Sequence, residues 1–172
     1  MSTTVTLVVM GVSGSGTTTV ATALAATAGW TFVEGDGLHP ERNRRRMAAG
    51  TPLTDDDRYP WLARIAERIG AGEQAGESLV VTCSALRRPY RDLLRDGHPS
   101  VRFVYLEVDG AVLRERVTSR HHEYMPAALL DSQITALEPP QADEPVITVD
   151  AAGPVAATVA AVLDEAGVRD PR

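Results

Sequence analysis

The 172-residue sequence contains no lysine, and all 17 of its basic residues are arginine. A single cysteine, Cys83, excludes an internal disulfide framework and indicates a reducing compartment. Acidic residues outnumber basic ones by 23 to 17, and the resulting net charge of −6 argues against a nucleic-acid or anionic-membrane binder. There is no basic leader and no apolar run of about 18 residues, so we expect a soluble, cytoplasmic protein.

What the sequence does contain is a glycine-rich segment at residues 11–18, GVSGSGTT. It matches the phosphate-binding pattern G-x-x-x-x-G-K-[ST] except that Thr17 replaces the lysine. Backbone N–H groups of such a loop hold phosphates, and its last hydroxyl, here Thr18, ligates Mg²⁺. A tight turn of small residues between a strand and a helix is the plainer alternative. The residues expected to bind nucleotide are Gly11, Val12, Ser13, Gly14, Ser15, Gly16, Thr17 and Thr18.

Apolar runs typical of buried strands alternate with Ala-, Leu-, Arg- and Glu-rich segments typical of helices. This pattern predicts one α/β domain over residues 1–172, a three-layer sandwich around a five-stranded parallel sheet. Ligands bind such sheets at the carboxyl ends of the strands. The predicted strands are 5–10, 30–33, 79–83, 101–106 and 145–149, and the predicted helices are 17–28, 40–48, 57–70, 88–95, 110–119, 126–137 and 154–166.

A carboxylate, Asp36, follows the second predicted strand between two glycines. At that place it can accept the proton of a hydroxyl that attacks a phosphoryl group, or it can hold substrate hydroxyls. Capping of the helix that starts near Pro40 is an equally good explanation of the same residue.

Charged residues of both signs surround the next helix. Arg44, Arg45 and Arg46 point around its circumference, so most of this run is solvated surface. Residues 55–57 are all aspartate, and aspartates before a helix cap it and complement its dipole. Arg58 is therefore the better functional candidate.

The third predicted strand runs into CSALRRPYRD at residues 83–92. Arginines after a strand end suit an anionic substrate, because the guanidinium group forms a planar fork that fits a carboxylate. Cys83 is interpreted as a small core residue, since nothing places a base beside it.

Arg116 and Arg120 follow the fourth predicted strand, four residues apart on one helical face. Such a pair can close over a nucleotide and neutralise its phosphates. An exposed face, ion-paired with Glu115 or Glu123, is the alternative. The adjacent residues 121–122 are both histidine, but neighbouring side chains on a helix diverge, which argues against a zinc site.

Taken together, these segments resemble the gluconate kinases (gluconokinases), which are P-loop kinases related to shikimate and nucleoside monophosphate kinases. The resemblance extends from Val8 to about Asp150. It rests on the loop at 11–18, GDGLHP at 35–40, GTPLTDDDR at 50–58, CSALRR at 83–88, and the pairs Met125-Pro126, Ser132-Gln133 and Leu137-Glu138.

The resemblance implies ATP- and Mg²⁺-dependent phosphorylation of D-gluconate at its 6-hydroxyl, a lid at about residues 120–126, and a homodimer. It implies that Thr18 ligates Mg²⁺, that Asp36 orients or deprotonates the 6-hydroxyl, and that Arg116 and Arg120 bind ATP. The residues implied to act on gluconate are Asp36, His39, Arg58, Arg87 and Arg91, with Asp36, Arg58 and Arg87 as the catalytic set.

Three positions depart from the family pattern: Thr17 and Arg87, which both stand in place of lysine, and His122-Glu123 in the lid. Loss of the loop lysine removes a cation from the β- and γ-phosphate oxygens, where Arg116, Arg120 or Arg87 can compensate. Two alternatives to a working gluconate kinase follow. One is a weakly active or inactive nucleotide- or gluconate-binding regulator, and the other is a kinase for another small sugar acid.

Overall fold

The computed structural model describes residues 3–12, 14–119 and 127–169, so the predicted lid at 120–126 lies outside the described residues. Strands and helices alternate along the chain as the sequence predicts. The strands are β1 (Thr6–Met10), β2 (Thr31–Val33), β3 (Leu79–Thr82), β4 (Val101–Glu107) and β5 (Val146–Asp150). The helices are α1 (Thr17–Ala28), α2 (Glu41–Ala48), α3 (Asp55–Ala75), α4 (Arg88–Arg95), α5 (Gly110–Ser119), α6 (Ala127–Ala136) and α7 (Val155–Ala166).

The five strands form one sheet in the order β2-β3-β1-β4-β5, and every neighbouring pair is parallel. β1 is the central strand, and Val8 lies beside Val81 of β3 and Phe103 of β4. The carboxyl end of β1, which runs directly into the glycine-rich loop, is therefore flanked by the ends of β3 and β4. This confirms the predicted parallel α/β sheet with the loop at its carboxyl edge.

Hydrophobic cores cover both faces of the sheet, because successive side chains of a strand point to opposite sides. Leu7 and Val9 pack with α1 and α7 on one face, whereas Val8 and Met10 pack with α3 and α4 on the other. The result is the predicted three-layer sandwich. A third, smaller cluster joins the loop to α5 and α6 at the carboxyl edge; its buried members are Val12, Leu86, Leu113 and Leu130.

The predicted element boundaries match the observed ones or differ from them by a single residue, except those of α3. It begins at Asp55 rather than residue 57, because Thr54 caps it: Thr54 Oγ1 accepts from Asp57 N at 3.2 Å, and the Asp57 carboxylate accepts from Thr54 N at 2.9 Å. It extends to Ala75, and Gly76 ends it in the left-handed conformation. A 3₁₀ turn at Gly35–Leu38 was not predicted.

Among the described residues, no helix combines the length and the hydrophobicity needed to span a bilayer.

Candidate active site

A cleft of about 1240 Å³ opens at the carboxyl edge of the sheet. One wall is the glycine-rich loop with the start of α1, and the other walls come from the 3₁₀ turn, α2, α3 and the end of β3. The side chains around it that carry polar chemistry are Thr17, Thr18, Thr19, Glu34, Asp36, His39, Glu41, Arg44, Arg45, Thr51, Arg58, Thr82, Cys83, Ser84, Ser132 and Gln133.

The loop wraps closely on itself, which explains its glycines. A Cβ on Gly11 would lie 2.6 Å from Ser15 Oγ, so only glycine fits there without displacing the loop. Ser15 closes the turn by donating from Oγ to the Val12 carbonyl at 2.7 Å. Gly16 has φ +90°, a conformation that glycine adopts without strain, and it caps α1. The first residues of α1 line the cleft, and the backbone N–H groups of a helix N-terminus suit anion binding.

Glu34 bridges the loop to the neighbouring strand. Thr18 Oγ1 donates to Glu34 Oε2 at 3.0 Å, and Thr82 Oγ1 donates to Glu34 Oε1 in a short hydrogen bond. Because the Thr18 hydroxyl donates its hydrogen bond to the carboxylate, the lone pairs of its oxygen remain available to bind a cation. Glu34 was not predicted as a site residue, although it follows the end of β2 and lies two residues before Asp36.

Gly35 lies against β3 so tightly that a Cβ there would come within 1.8 Å of the Thr82 carbonyl oxygen. Its N–H donates to Thr82 Oγ1 at 2.9 Å, and its carbonyl accepts from Trp61 Nε1 at 2.8 Å. These contacts fix the backbone that carries Asp36 into the cleft.

Asp36 projects into the cleft, and its side chain is 78% exposed. The protein that surrounds the cleft displaces water, and Glu34 adds a like charge; both raise the pKa of Asp36 above its usual value. A carboxylate with a raised pKa is a stronger base, so this environment suits proton abstraction. Asp36 does not cap α2, whose N-cap is Pro40 without a side-chain cap.

His39 is buried between Trp61 and α2. Its ring stacks on the Trp61 ring with centroids 4.0 Å apart, and its Nδ1 lies 3.1 Å from Asn43 Nδ2. Burial, followed by the charges of Arg44 and Arg58, lowers the pKa of His39 to about 4, so the ring is neutral at physiological pH.

Arg58 lines the cleft, and Tyr90 holds it by accepting from Nη1 at 3.1 Å. Tyr90 in turn donates to Asp55, and that hydrogen bond together with the charge of Arg87 holds the pKa of Asp55 below its usual value. Tyr90 was not predicted as a site residue, although its position in the 83–92 segment was noted.

Arg87 lies beside the cleft rather than lining it. Its Nη1 donates to Asp55 at 2.9 Å, and its Nε donates to Glu138 at 3.0 Å. These carboxylates and Tyr90 raise its pKa further, so the charge is permanent. The structure thus brings Arg87 close to Arg58 through shared partners, with its fork already occupied by protein carboxylates.

Arg91, which we expected to hold the substrate, has a completely buried side chain and is not among the residues that line the cleft. It forms a two-pronged pair with Glu144, with Nε to Oε1 at 2.7 Å and Nη2 to Oε2 at 3.2 Å. Burial opposes the ionisation of Glu144, yet the Arg91 hydrogen bonds hold its pKa below the usual value.

The buried pair instead supports the turn after β3. Arg91 Nη1 donates to the Ala85 carbonyl at 2.9 Å, and Ala85 has φ +44°, the left-handed region that costs a residue with a side chain about 1 kcal/mol or more. Arg91 therefore acts on the cleft indirectly, by holding the turn that carries Cys83 and Ser84.

Arg116 reaches the glycine-rich loop from α5. It donates to the Gly14 carbonyl at 3.1 Å and to the Ala151 carbonyl at 3.0 Å, and so joins the loop to the segment after β5. This position agrees with the interpretation of Arg116 as a nucleotide residue. Arg120 and Ser13, which were also predicted to bind nucleotide, lie outside the described residues.

Thr17 is the first residue of α1 and is partly exposed on the cleft wall. Its hydroxyl forms no hydrogen bond within the described part of the chain. Two of the arginines that line the cleft are held by residues outside the glycine-rich loop. Arg44 donates to the Gly37 carbonyl at 2.6 Å, and Arg58 donates to Tyr90.

Cys83 is buried at the base of the cleft, and burial raises the pKa of its thiol to about 12. A thiol with that pKa is not a nucleophile at neutral pH, which confirms its interpretation as a core residue. Within residues 3–12, 14–119 and 127–169, no group of three or more His, Cys, Asp or Glu side chains is placed to hold a metal by itself.

The residues present nevertheless fit a nucleotide with its magnesium ion. The glycine-rich loop and the start of α1 line the cleft, and Thr18 and Glu34 offer the hard oxygen ligands that Mg²⁺ prefers. Mg²⁺ is commonly held by only one or two protein groups together with phosphate oxygens, so the absence of a larger cluster agrees with this use.

The chain is similar to several known proteins. A family model described as an AAA domain matches residues 7–140. A gluconokinase from Gluconobacter oxydans (strain 621H) is 50% identical over 143 residues, which cover 83% of this chain and 80% of the relative. The crystal structure of a sugar kinase from Janibacter sp. HTCC2649 is 43% identical with a TM-score of 0.92, covering 97% of this chain and 96% of that one. The crystal structure of a gluconokinase from Sinorhizobium meliloti 1021 is 45% identical with a TM-score of 0.84, covering 95% and 92%.

Proposed function

Because the chain belongs to the gluconokinase family, we propose that it transfers the γ-phosphoryl group of ATP to the 6-hydroxyl of D-gluconate, giving 6-phosphogluconate and ADP. The observation that carries this proposal is the cleft, which has a phosphate-binding loop on one wall and a carboxylate with a raised pKa on another.

Bound Mg²⁺ would neutralise charge on the phosphate oxygens, and Thr18 and Glu34 are the residues that would hold it. The loop N–H groups orient the phosphates in the same region. Asp36 accepts the proton of the 6-hydroxyl as that oxygen bonds to the γ-phosphorus, while the bond from the γ-phosphorus to the bridging oxygen breaks and ADP leaves.

Arg58 is the residue of the predicted substrate set that combines a cationic fork with a place on the cleft wall. Its Nη1 is anchored on Tyr90, which leaves further N–H groups of the fork for the carboxylate of a sugar acid. His39 lines the same side of the cleft and completes the acceptor half of the site.

Asp36→Asn tests the proposal directly. We expect the parent protein to form 6-phosphogluconate from ATP and gluconate only when Mg²⁺ is present, with the product identified by mass spectrometry. We expect the variant to lose roughly 10²- to 10⁴-fold in kcat and to bind ATP with nearly unchanged affinity. An equal loss of turnover and of ATP affinity would remove Asp36 from the role of base.

A panel of acceptors separates gluconate from the second candidate, another small sugar acid. We expect gluconate to have the highest kcat/KM in the panel. Binding of ATP and gluconate without turnover would instead favour the regulator, an alternative that the gluconokinase relatives do not support.

We extend the proposal to a homodimer in the cytoplasm, for which the support is family resemblance. Light scattering during size-exclusion chromatography would give about twice the chain mass of 18.4 kDa for a dimer.

A further inference from the structure

His39 and Asn43 face each other in the buried layer behind Asp36. Asn43 is 2% exposed, and its Nδ2 donates to the Asp57 carbonyl at 2.8 Å while also lying 3.1 Å from His39 Nδ1. The i and i+4 spacing across the start of α2 brings the two side chains together. Sequence analysis did not assign a role to Asn43.

The Asp57 carbonyl decides which way the Asn43 amide faces. A carbonyl oxygen can only accept, so the group 2.8 Å from it must be the amide NH₂ rather than the amide oxygen. The other hydrogen of the same NH₂ then points at His39 Nδ1, which must be the unprotonated nitrogen of the ring. The single proton of the neutral ring therefore lies on Nε2.

That proton faces the cleft beside Asp36. His39 Nε2 lies 3.9 Å from Asp36 Oδ1, and the Asp36 side chain is exposed and able to turn. A small rotation of Asp36 closes this distance to the roughly 3 Å of a hydrogen bond. Stacking on Trp61, itself anchored on the Gly35 carbonyl, keeps the plane of the histidine ring fixed.

We propose that Asn43 is a positioning residue that holds His39 as its Nε2–H tautomer, and that this N–H holds the Asp36 carboxylate in place while it accepts the proton of the acceptor hydroxyl. The inference deepens the proposed function and rests on it for the role of Asp36. The tautomer follows from the contacts of Asn43 alone.

The charged groups around this pair come from every neighbouring element. Arg44 of α2 and Arg58 of α3 act on the His39 ring, and both disfavour its protonated form. Glu34, at the end of β2, acts on Asp36, while the Cys83 thiol at the end of β3 stays neutral. Between pH 5 and pH 8 the His39 ring is therefore a neutral donor.

Nitrogen-15 NMR of the histidine rings in the parent protein tests the tautomer without any assay. The protonated and unprotonated ring nitrogens have well-separated shifts, and the His39 signals are assigned by their disappearance in His39→Gln. We expect protonated Nε2 and unprotonated Nδ1 at pH 7; a protonated Nδ1 would overturn the proposal, whatever the protein phosphorylates.

Two substitutions of His39 test the role. His39→Gln keeps an N–H donor near the Nε2 position, whereas His39→Asn keeps only an acceptor near Nδ1. A donated hydrogen bond holds the carboxylate in one orientation, so its loss lets Asp36 turn away from the acceptor hydroxyl. We therefore expect kcat/KM for gluconate, at saturating ATP and Mg²⁺, to fall roughly tenfold in His39→Asn and to be largely restored in His39→Gln. We expect the KM for ATP to stay within about twofold of the parent in both variants.

His98→Gln serves as the control, since His98 contacts Glu73 away from the cleft, and kcat/KM should not change. An unchanged kcat/KM in His39→Asn, or equal losses in the two His39 variants, would refute the positioning role. A parent protein with no gluconate kinase activity would refute the proposed function and leave the NMR result to decide the tautomer.

Discussion

Thr17→Lys restores the one residue missing from the phosphate-binding loop, and we expect it to raise the rate. Thr17 begins α1, is partly exposed on the cleft wall, and forms no hydrogen bond with the described residues, so a longer side chain can extend into the cleft. The new ammonium group would lie among the phosphate oxygens, on the wall opposite Arg58 and its Tyr90 anchor.

The size of the gain follows from electrostatics. Two unit charges about 4 Å apart at an effective dielectric constant of about 20 interact by about 4 kcal/mol. Only the part of this interaction energy that is stronger in the transition state than in the ground state raises kcat. Removing a single preorganised donor from other enzymes costs about 10²- to 10³-fold in kcat, so we expect Thr17→Lys to raise kcat by up to about 10²-fold.

Initial rates of ADP release at saturating gluconate and Mg²⁺ measure kcat, and a titration with ATP separates kcat from KM. Thr17→Met is the matched control, because it adds a side chain of similar length without charge and should leave kcat within about threefold of the parent.

An unchanged or lower kcat in Thr17→Lys would refute the reasoning. It would mean that a cation of the chain already occupies the place of the lysine, because two like charges about 4 Å apart repel by a similar amount. Arg120, which shares the predicted helical face of Arg116, would then be the residue to remove next.

Two further substitutions test the walls of the cleft. Arg91→Met leaves Glu144 buried without its counter-charge, so chemical denaturation should show a loss of about 3 kcal/mol in unfolding free energy. In the folded variant the KM for gluconate should stay within about twofold of the parent, and a tenfold rise would return Arg91 to the substrate site. Gly35→Ala should lose at least about 3 kcal/mol by the same measurement, since its Cβ meets the Thr82 carbonyl at 1.8 Å. Gly37→Ala, which meets nothing within 4 Å, should be close to neutral, and equal effects of the two alanines would contradict the steric argument.

The sheet and the glycine-rich loop could be predicted because each is marked by residues that lie close together in the sequence. A run of apolar residues marks a strand buried on both faces, and the spacing of Gly11, Gly16 and Thr18 marks a phosphate loop. Asp36 could be placed at the edge of the sheet for the same reason. These features need only the residues next to them in the chain.

Arg91 shows what sequence could not decide. Its counter-charge, Glu144, is 53 residues away, and nothing in the local pattern distinguishes a buried, paired arginine from one that faces a substrate. Asn43 was missed for a related reason, because its role depends on a backbone carbonyl of α3 that its own helix does not reveal. Partners that meet only in the folded chain decide the role of a polar side chain.

Glu34 connects the start of α1 to the end of β3. Its carboxylate accepts hydrogen bonds from both Thr18 and Thr82, so a ligand that replaces one of these contacts should also affect the other. We therefore expect the binding of ATP with Mg²⁺ and the binding of gluconate to be coupled, and such coupling is reciprocal: whatever factor ATP and Mg²⁺ impose on gluconate affinity, gluconate imposes on theirs. Glu34→Gln, which keeps the shape and removes the charge, is the variant in which that mutual factor should move toward one.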